Sequence, residues 1–595
     1  MNIRQWFGFV ILNASAWCVL SLGYFYTSGF AGDSLGILFT VTFIIGHVFL
    51  FAWGCGLVCL PFAWVGPRAL ELACIAAGSL FSLFWATDWL VYSQYRFHLS
   101  PAMLELFFGP AGREIFVFSN AMWGGIILAV VLVVAAQSAL VYWAKRMNPS
   151  RRLIAGCVGA WLVFFVLYNG LYAWGKFKMY PSIVAQRGVL PFANPLSANR
   201  RLRKMGFEPQ KDPYTQPPAG SLVYPLHPLL CNPHEKAKNV LILLVESWRA
   251  DSVNEQVMPQ LTRLAKLPQM TYFTNHLSGG NATEAGVFSL FYSMPYAYWN
   301  DFTSRQLPPV LVSQALQQGY VPAIYSSGKL NSPTFHQNVF ATVPNLRLES
   351  DGTTKWERDV DAVEDFEQFL TNYSGEKPFF GFVFLDAPHG SSYPQQDRVF
   401  TPAQEINYLW VNKNTDPTPY MNQYKNSVHF ADRMIERIFN ALQQHRLLDN
   451  TLIIITADHG QEINDTRHNF WGHNSNFSNY QTQVPLFVWN GPARPGSLSY
   501  RTTHYDVAPT ILQEVYRCTN PPQDYSIGQN LFDPAPRPFA VISSYTKKAV
   551  RTQDQLTVLD AYGGIENYNS HFEPSPGAQP AAIKEALKTF AQFYK

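Results

Sequence analysis

Charged residues are scarce in this chain. Only 14% of its 595 residues are Asp, Glu, Lys or Arg, against about 25% in a typical soluble protein. The 44 basic and 41 acidic residues nearly cancel, to a net charge of +3, so the composition predicts no nucleic-acid partner. Aromatic residues reach 15%, which excludes a disordered or collagen-like chain. A long chain that is poor in charge and rich in aromatic residues predicts a membrane part.

Several sequence motifs of cofactor and metal binding are also missing. No Gly-x-Gly-x-x-Gly or Walker motif is present, which counts against nucleotide cofactors. The seven cysteines contain no Cys-x-x-Cys pair and no Cys–His zinc spacing. Five of them lie in apolar stretches. Only Cys231 and Cys518 lie in the later, polar part, where they either pair in an oxidising compartment or stay free.

The apolar residues are concentrated before residue 175. Five stretches there each reach the roughly 20 residues that a membrane span needs: 8–28, 36–65, 69–93, 121–143 and 153–174. Five buried helices of a soluble domain fit less well, because such helices carry a polar face and 126–134 has none. Asp88, inside the third stretch, is expected to face the helix bundle or lie near an interface.

The short connecting segments predict an orientation. Arg4, Arg68 and the basic residues of 145–152 fall on one side of the predicted spans, whereas the segment between the first two spans has Asp33 and no Lys or Arg. Positive residues favour the cytoplasmic side. We therefore expect a cytoplasmic amino terminus in a bacterial inner membrane, with everything after residue 175 in the periplasm.

Residues 175–236 are predicted to form a linker at the membrane surface. They contain several prolines and the basic cluster Arg200, Arg201, Arg203 and Lys204. A basic run beside a bilayer attracts anionic headgroups at about 1 kcal/mol per charge. The alternative is an ordinary solvated run of charge.

From residue 237 short apolar runs alternate with helix-like stretches. Helices are predicted at 307–319 and 421–447, and this alternation predicts a mostly parallel sheet with helices on both faces. The predicted strands are Asn239–Val245, Val321–Ser326, Phe379–Leu385, Thr451–Thr456 and Pro485–Trp489. The layout is thus an α-helical transmembrane domain at 1–174, a linker at 175–236 and an α/β domain at 237–595.

Polar residues follow three of these strands. Glu246 comes after the first, Asp386 and His389 after the third, and Asp458 and His459 after the fourth. Each alone fits a solvated loop, but in an open α/β sheet ligands bind beyond the carboxyl ends of the strands. Carboxylates with imidazole suit a divalent metal ion such as Zn²⁺, Mn²⁺ or Mg²⁺.

Thr283 is a candidate nucleophile. It follows a Gly-Gly-Asn-Ala loop and begins a helix-like run. A hydroxyl at a helix amino terminus lies where phosphate or sulfate oxygens bind well, and a metal ion would activate it. The alternative is a simple helix N-cap.

Five segments together resemble the alkaline phosphatase/sulfatase superfamily: VESWRADS (245–252), NATEAGVFSLFYSMP (281–295), DAPHG (386–390), TADHGQE (456–462) and WGHN (471–474). They are most similar to its membrane-anchored branch, with lipoteichoic acid synthase and the lipid A phosphoethanolamine transferases.

This resemblance implies that Glu246, Thr283, Asp458 and His459 hold the metal, with Thr283 as nucleophile. It also implies that His389 and His473 contact substrate phosphate or a second ion, with His468 as the alternative to His473 in this role. The nucleophile segment has no Cys, which argues against a formylglycine-type sulfatase.

Most of the chain also resembles the PbgA/YejM family of inner-membrane proteins, through 197–207, 273–292, 317–333 and 527–532. This resemblance implies binding of cardiolipin or lipid A (lipopolysaccharide) through the basic linker, and regulation of lipopolysaccharide synthesis through a membrane protein partner. Members of that family are described as having lost most of the metal set, whereas all four residues are present here. We therefore predict a metal-dependent phosphohydrolase or phosphotransferase acting on phosphate esters of lipid or envelope substrates, with a lipid-binding regulator as the alternative.

Overall fold

A computed structural model gives the fold of the chain. It describes residues 1–595 except 29, 31–32, 96–97, 100–119, 179, 185, 206, 208–221, 233–236, 409, 493–495, 546, 561–564, 578 and 595. The chain divides into two compact units, Met1–Pro213 and a second that contains Tyr214–Asp560 and Glu566–Lys595.

The first unit is built from long apolar helices. Five of them are long and apolar enough to cross a membrane, as the sequence predicted. They are α1 Ile3–Ser28, α2 Ser34–Cys59, α3 Pro67–Tyr95, α4 Asn120–Arg146 and α5 Arg151–Phe177. Two short helices follow, α6 Pro181–Val184 and α7 Asn199–Lys204.

Asp88 of α3 faces the interior of this unit, where it is fully buried. It accepts hydrogen bonds from the hydroxyl of Tyr24 at 2.8 Å and from the backbone N–H of Leu99 at 2.7 Å. His98 Nδ1 lies 2.7 Å from the same carboxylate. A buried carboxylate needs such partners, and this one has them on both oxygens.

The basic cluster lies on α7. Arg201 and Lys204 are exposed, whereas the side chains of Arg200 and Arg203 lie outside the described residues. Two of the four basic residues of the cluster are therefore available to solvent in the part of the chain that the structure describes.

The second unit contains a seven-stranded sheet. Its strand order is β10-β2-β9-β6-β1-β5-β4, and its strands are β1 Asn239–Val245, β2 Met270–Phe273, β4 Val321–Ser326, β5 Phe379–Leu385, β6 Thr451–Ala457, β9 Leu486–Trp489 and β10 Gly496–Leu498. β4, β5, β1 and β6 pair in parallel, whereas β9 runs antiparallel to both neighbours. The mostly parallel sheet predicted from the sequence is confirmed.

Helices cover both faces of this sheet. Alternate residues of β1 enter two separate cores, because successive side chains of a strand point to opposite faces. The helices are α8 Pro259–Leu264, α9 Thr283–Tyr292, α10 Trp299–Arg305, α11 Val310–Gln317, α12 Lys355–Asn372, α13 Thr418–Gln444, α14 Asn479–Thr482, α15 Val507–Glu514 and α16 Pro580–Thr589. α9, α11 and α15 contribute to one core, and α8, α12 and α13 to the other.

Smaller sheets complete the second unit. β3 His276–Leu277 pairs with β11 Thr502–Thr503, and β7 Glu462–Ile463 pairs with β8 Trp471–Gly472. A four-stranded sheet that the sequence reasoning did not predict contains β12 Ala540–Ser543, β13 Lys547–Arg551, β14 Gln555–Asp560 and β15 Ile565–Asn569. Cys231 and Cys518 form a disulfide, which settles the open question of their pairing.

Candidate metal and phosphate site

Three neighbouring strands bring carboxylates to one edge of the main sheet. β5, β1 and β6 lie side by side in parallel, so their carboxyl ends coincide. Glu246 follows β1, Asp386 follows β5 and Asp458 follows β6, and all three are buried. The clustering expected from the sequence at this edge is therefore present.

Glu246, Asp458 and His459 offer ligand atoms that all lie within 4.8 Å of one another. Thr283 joins them: its Oγ1 lies 3.1 Å from Glu246 Oε1 and 3.3 Å from His459 Nε2. The four residues that the family resemblance implied as one metal set thus lie together in this structure.

The donor atoms of this set fit a divalent cation. Among the described residues Asp458 Oδ2 accepts no hydrogen bond although it is buried, while Oδ1 accepts from the backbone N–H groups of Ser247 and His459 at 3.0 and 2.8 Å. His459 Nδ1 lies 2.8 Å from the carbonyl oxygen of Gly460. That oxygen can only accept, so Nδ1 carries the proton and Nε2 has a lone pair for a metal.

The electrostatics of the set also favour a cation. Burial raises the pKa of Asp458 to about 7 and lowers the pKa of His459 to about 4. Burial likewise raises the pKa of Glu246, although His389 opposes it. Buried carboxylates without enough positive charge near them are costly to ionise, and a bound divalent ion would supply that charge.

The chain reaches this arrangement through one strained residue. Ser247, directly after Glu246, has a φ of 58°, in the left-handed region that non-glycine residues seldom occupy. Its backbone N–H is thereby the donor to Asp458 Oδ1. Strain of this kind persists where surrounding structure fixes it, often at functional sites.

Thr283 is the first residue of α9. The N-cap position belongs to Ala282, which has an extended backbone and makes no side-chain cap. The Thr283 hydroxyl contacts Glu246 and His459 instead, so the capping alternative does not describe its contacts. The hydroxyl lies where the helix amino terminus presents free N–H groups and the positive end of its dipole.

A second group of ligand-type residues shares Glu246 with the first. Glu246, Asp386 and His389 also offer atoms within 4.8 Å of one another. His389 Nδ1 lies 2.8 Å from Glu246 Oε1 and 3.2 Å from Asp386 Oδ1. Burial alone would lower the pKa of His389, but these carboxylates outweigh it and raise the pKa to about 9.

Lys355, the first residue of α12, also lies in this second group, and it was not predicted from the sequence. Its Nζ lies 2.5 Å from Asp386 Oδ2 and 3.3 Å from His389 Nδ1. Burial opposes ionisation of Asp386, but Lys355 and His389 hold the pKa of that carboxyl well below its usual range. Thr354 and Glu357 form a capping box, a signal that could have placed Lys355 at a helix start, though not beside Asp386.

His473, rather than His468, lies at the site. The His473 ring centroid is 4.3 Å from that of His459 and 5.1 Å from that of His389, whereas His468 is exposed. Burial lowers the pKa of His473 well below its ordinary value, with His459 and His389 adding to the effect.

The loop that carries His473 is tied to buried Glu462. This carboxylate accepts hydrogen bonds from Asn476 Nδ2 at 2.6 Å, Ser478 Oγ at 3.2 Å and Gln481 Nε2 at 3.1 Å. These three hydrogen bonds tie the segment after His473 to Glu462.

The family comparisons agree with this fold. Residues 238–515 match the sulfatase family model, and residues 1–231 match a domain of unknown function, DUF3413. Residues 238–515 therefore form an alkaline phosphatase/sulfatase-like domain, which follows the apolar helical unit in the sequence.

Individual proteins also match the chain. The inner membrane protein YejM of Salmonella typhimurium is 26% identical over 590 residues, which cover 96% of this chain and 93% of that protein. The phosphoethanolamine transferase EptA of Escherichia coli K12 is 26% identical over 280 residues, 44% of this chain and 48% of that protein. The chain thus combines an apolar helical unit with a sulfatase-like domain and is related to YejM and EptA.

One solved structure shares the overall fold. The lipooligosaccharide phosphoethanolamine transferase A of Neisseria meningitidis superposes with a TM-score of 0.55 at 15% identity, covering 87% of this chain and 96% of that one. This likeness concerns the fold alone.

Proposed function

We propose that the chain is a metal-dependent phosphohydrolase or phosphotransferase that acts on phosphate esters of lipid or envelope substrates. The observation that carries the proposal is the position of Thr283. Its hydroxyl lies at a helix amino terminus, 3.1 Å from Glu246 and 3.3 Å from His459, beside a carboxylate oxygen of Asp458 that no described residue satisfies.

Glu246, Thr283, Asp458 and His459 would hold one divalent ion. When bound, such an ion lowers the pKa of a neighbouring hydroxyl and offsets the charge of a phosphate group. The Thr283 hydroxyl donates to Glu246 Oε1, so its lone pairs are free to attack phosphorus. The free N–H groups of α9 are positioned to bind the non-bridging oxygens of the phosphate.

In the first step the Thr283 hydroxyl passes its proton to Glu246 Oε1, which already accepts its hydrogen bond. The Thr283 oxygen–phosphorus bond forms and the bond to the leaving oxygen breaks, which gives a phosphothreonine. His389 or His473 would give a proton to the leaving oxygen. In the second step a water or an acceptor hydroxyl, deprotonated by the same imidazole, attacks the phosphorus. The bond between phosphorus and the Thr283 oxygen breaks, and the proton on Glu246 returns to that oxygen and restores the hydroxyl. Water as acceptor gives hydrolysis and an alcohol gives transfer.

A substrate screen tests this proposal. The purified full-length chain is assayed against phosphate monoesters and diesters, with sulfate esters of the same alcohols as a control, before and after chelation and metal replacement. We expect phosphoester turnover that chelation removes and Zn²⁺, Mn²⁺ or Mg²⁺ restores, with phosphate found on Thr283 by mass spectrometry. Absence of turnover on every ester, with a metal-loaded chain, would contradict it.

A second candidate function is lipid binding with a regulatory role. The similarity to YejM over 96% of the chain supports it, since that match includes the helical unit and α7 with its basic cluster. For this function the linker would bind an anionic lipid such as cardiolipin or lipid A, and an inner-membrane protein partner would respond to the bound lipid. The two functions are compatible in one chain, and metal content separates them, because a pure regulator has no need of an ion.

A further inference from the structure

The two ligand groups at the sheet edge look at first like a site for two metal ions. They share Glu246, with Asp458 and His459 on one side and Asp386 and His389 on the other. Enzymes that handle phosphate esters often hold two ions about 3.5–4 Å apart. The second ligand group can hold a second metal ion or a positively charged side chain. Which of the two it holds determines the source of the second positive charge at the site.

A lysine side chain already lies in the second group. Lys355 Nζ is 2.5 Å from Asp386 Oδ2 and its side chain is only 14% exposed. One turn along α12, Arg358 NH2 lies 3.9 Å from the same oxygen. The other oxygen, Asp386 Oδ1, lies 3.2 Å from His389 Nδ1.

These contacts leave the second group poorly suited to an ion. A cation bound by Asp386 would have to share its oxygen with the ammonium group or displace it, and two positive charges so close repel strongly in a buried site. The first group differs: among the described residues no Lys or Arg forms an ion pair with Asp458, and Asp458 Oδ2 accepts no hydrogen bond.

We propose that Lys355 takes the place of a second metal ion. The centre binds one divalent cation, on Glu246, Asp458 and His459, and the Lys355 ammonium is the second positive charge at the site. An ammonium has three donors, so Lys355 can keep Asp386 and also bind an oxygen of a phosphate. The contact between Lys355 and phosphate rests on the proposed function, whereas the expected number of bound metal ions does not.

The test counts metal ions per chain in the purified full-length protein. After saturation with Zn²⁺ or Mn²⁺, elemental analysis and calorimetry are expected to give one ion for the wild type and for Lys355→Arg, which keeps the charge. Lys355→Gln and Lys355→Ala are expected to gain a second, weaker ion on Glu246, Asp386 and His389. Lys377→Gln is the matched control, because Lys377 is exposed at the other end of the same strand, β5.

Inorganic phosphate is the probe for the second part. At a metal concentration that fills only the first group, Lys355→Gln is expected to bind phosphate about tenfold more weakly, a loss of about 1.4 kcal/mol, while Lys355→Arg and Lys377→Gln bind normally. Thermal unfolding checks that each variant is folded.

Each outcome of the count decides the inference. One ion in the wild type and two in Lys355→Gln or Lys355→Ala support it. Two ions in the wild type, or no second ion in folded Lys355→Gln and Lys355→Ala, overturn the inference about Lys355. Either result leaves the proposed phosphohydrolase or phosphotransferase activity intact. No ion in the wild type overturns both, so the two failures are distinguishable.

Discussion

Gly286 of α9 packs directly against the backbone of Asp458, and a Cβ at Gly286 would overlap the Asp458 carbonyl oxygen. The same carbonyl accepts a hydrogen bond from Ser278 Oγ at 2.5 Å. The helix that begins with Thr283 and the strand end that carries Asp458 are therefore held together by a contact that only glycine permits.

Gly286→Ala is expected to push α9 away from Asp458 and to separate Thr283 from the ligand set. Overpacking of this kind typically costs about 1–3 kcal/mol. Denaturant unfolding of the full-length chain measures the stability, and metal titration measures the site. Gly328→Ala is the control, because a Cβ there meets its nearest neighbour at 3.4 Å, an ordinary contact. Equal effects of the two changes would show that the close approach is unimportant.

Thr283→Ala is expected to reduce turnover of a phosphoester about a thousandfold or more, since it removes the attacking oxygen. Metal binding is expected to survive, because Glu246, Asp458 and His459 remain. Thr283→Ser is expected to retain part of the activity: the hydroxyl is kept, but the branched carbon that restricts its rotamers is lost. Wild-type turnover by Thr283→Ala would rule out the covalent route.

Much of the sheet and the first ligand group could be predicted from the sequence. Strands such as Thr451–Ala457 are buried apolar runs, and the carboxyl ends of parallel neighbours meet, so Glu246 and Asp458 were expected together. The reversed direction of β9 was not predictable, because a short apolar run carries no sign of its direction.

Lys355 and His473 show why the rest of the site could not be predicted. Lys355 reaches Asp386 only because α12 packs on the sheet beside β5, a tertiary relation that no local pattern of residues records. Whether His473 or His468 lies at the site depends on the conformation of the loop that carries His473. Hydrogen bonds to Glu462 hold that loop, and the order of residues does not show them.

The orientation in the membrane is tested with reporter fusions. A reporter at residue 148, between α4 and α5, is expected to be active only on the cytoplasmic side, and one after residue 235 only on the periplasmic side. The reason is the excess of Lys and Arg on one side of the five helices. The opposite result at either position would contradict the proposed topology.

Replacing Arg200, Arg201, Arg203 and Lys204 together with Ala is expected to weaken binding to vesicles that contain cardiolipin or lipid A. At low salt each charge near the surface contributes about 1 kcal/mol, and the loss should shrink as salt screens it. Vesicle sedimentation at two salt concentrations measures this. The control replaces four exposed basic residues of the second unit, namely Arg263, Lys266, Lys413 and Lys588. Unchanged binding at low salt would make the cluster an ordinary solvated run.

Asp458→Asn and Glu246→Gln are expected to fail in metal binding itself, in contrast to Thr283→Ala. Each change keeps the size of the side chain but removes a negative charge from the ligand set, and Asp458 Oδ2 has no alternative hydrogen-bond donor among the described residues. We expect metal affinity to fall by about 100-fold or more, beyond the roughly 10–100-fold typical of residues that only support a ligand. Calorimetric titration of the metal-free chain measures this, with Asp449→Asn, exposed at the other end of β6, as the matched control. If Asp458→Asn binds the metal as tightly as the wild type, Asp458 is not a ligand and the ion lies elsewhere.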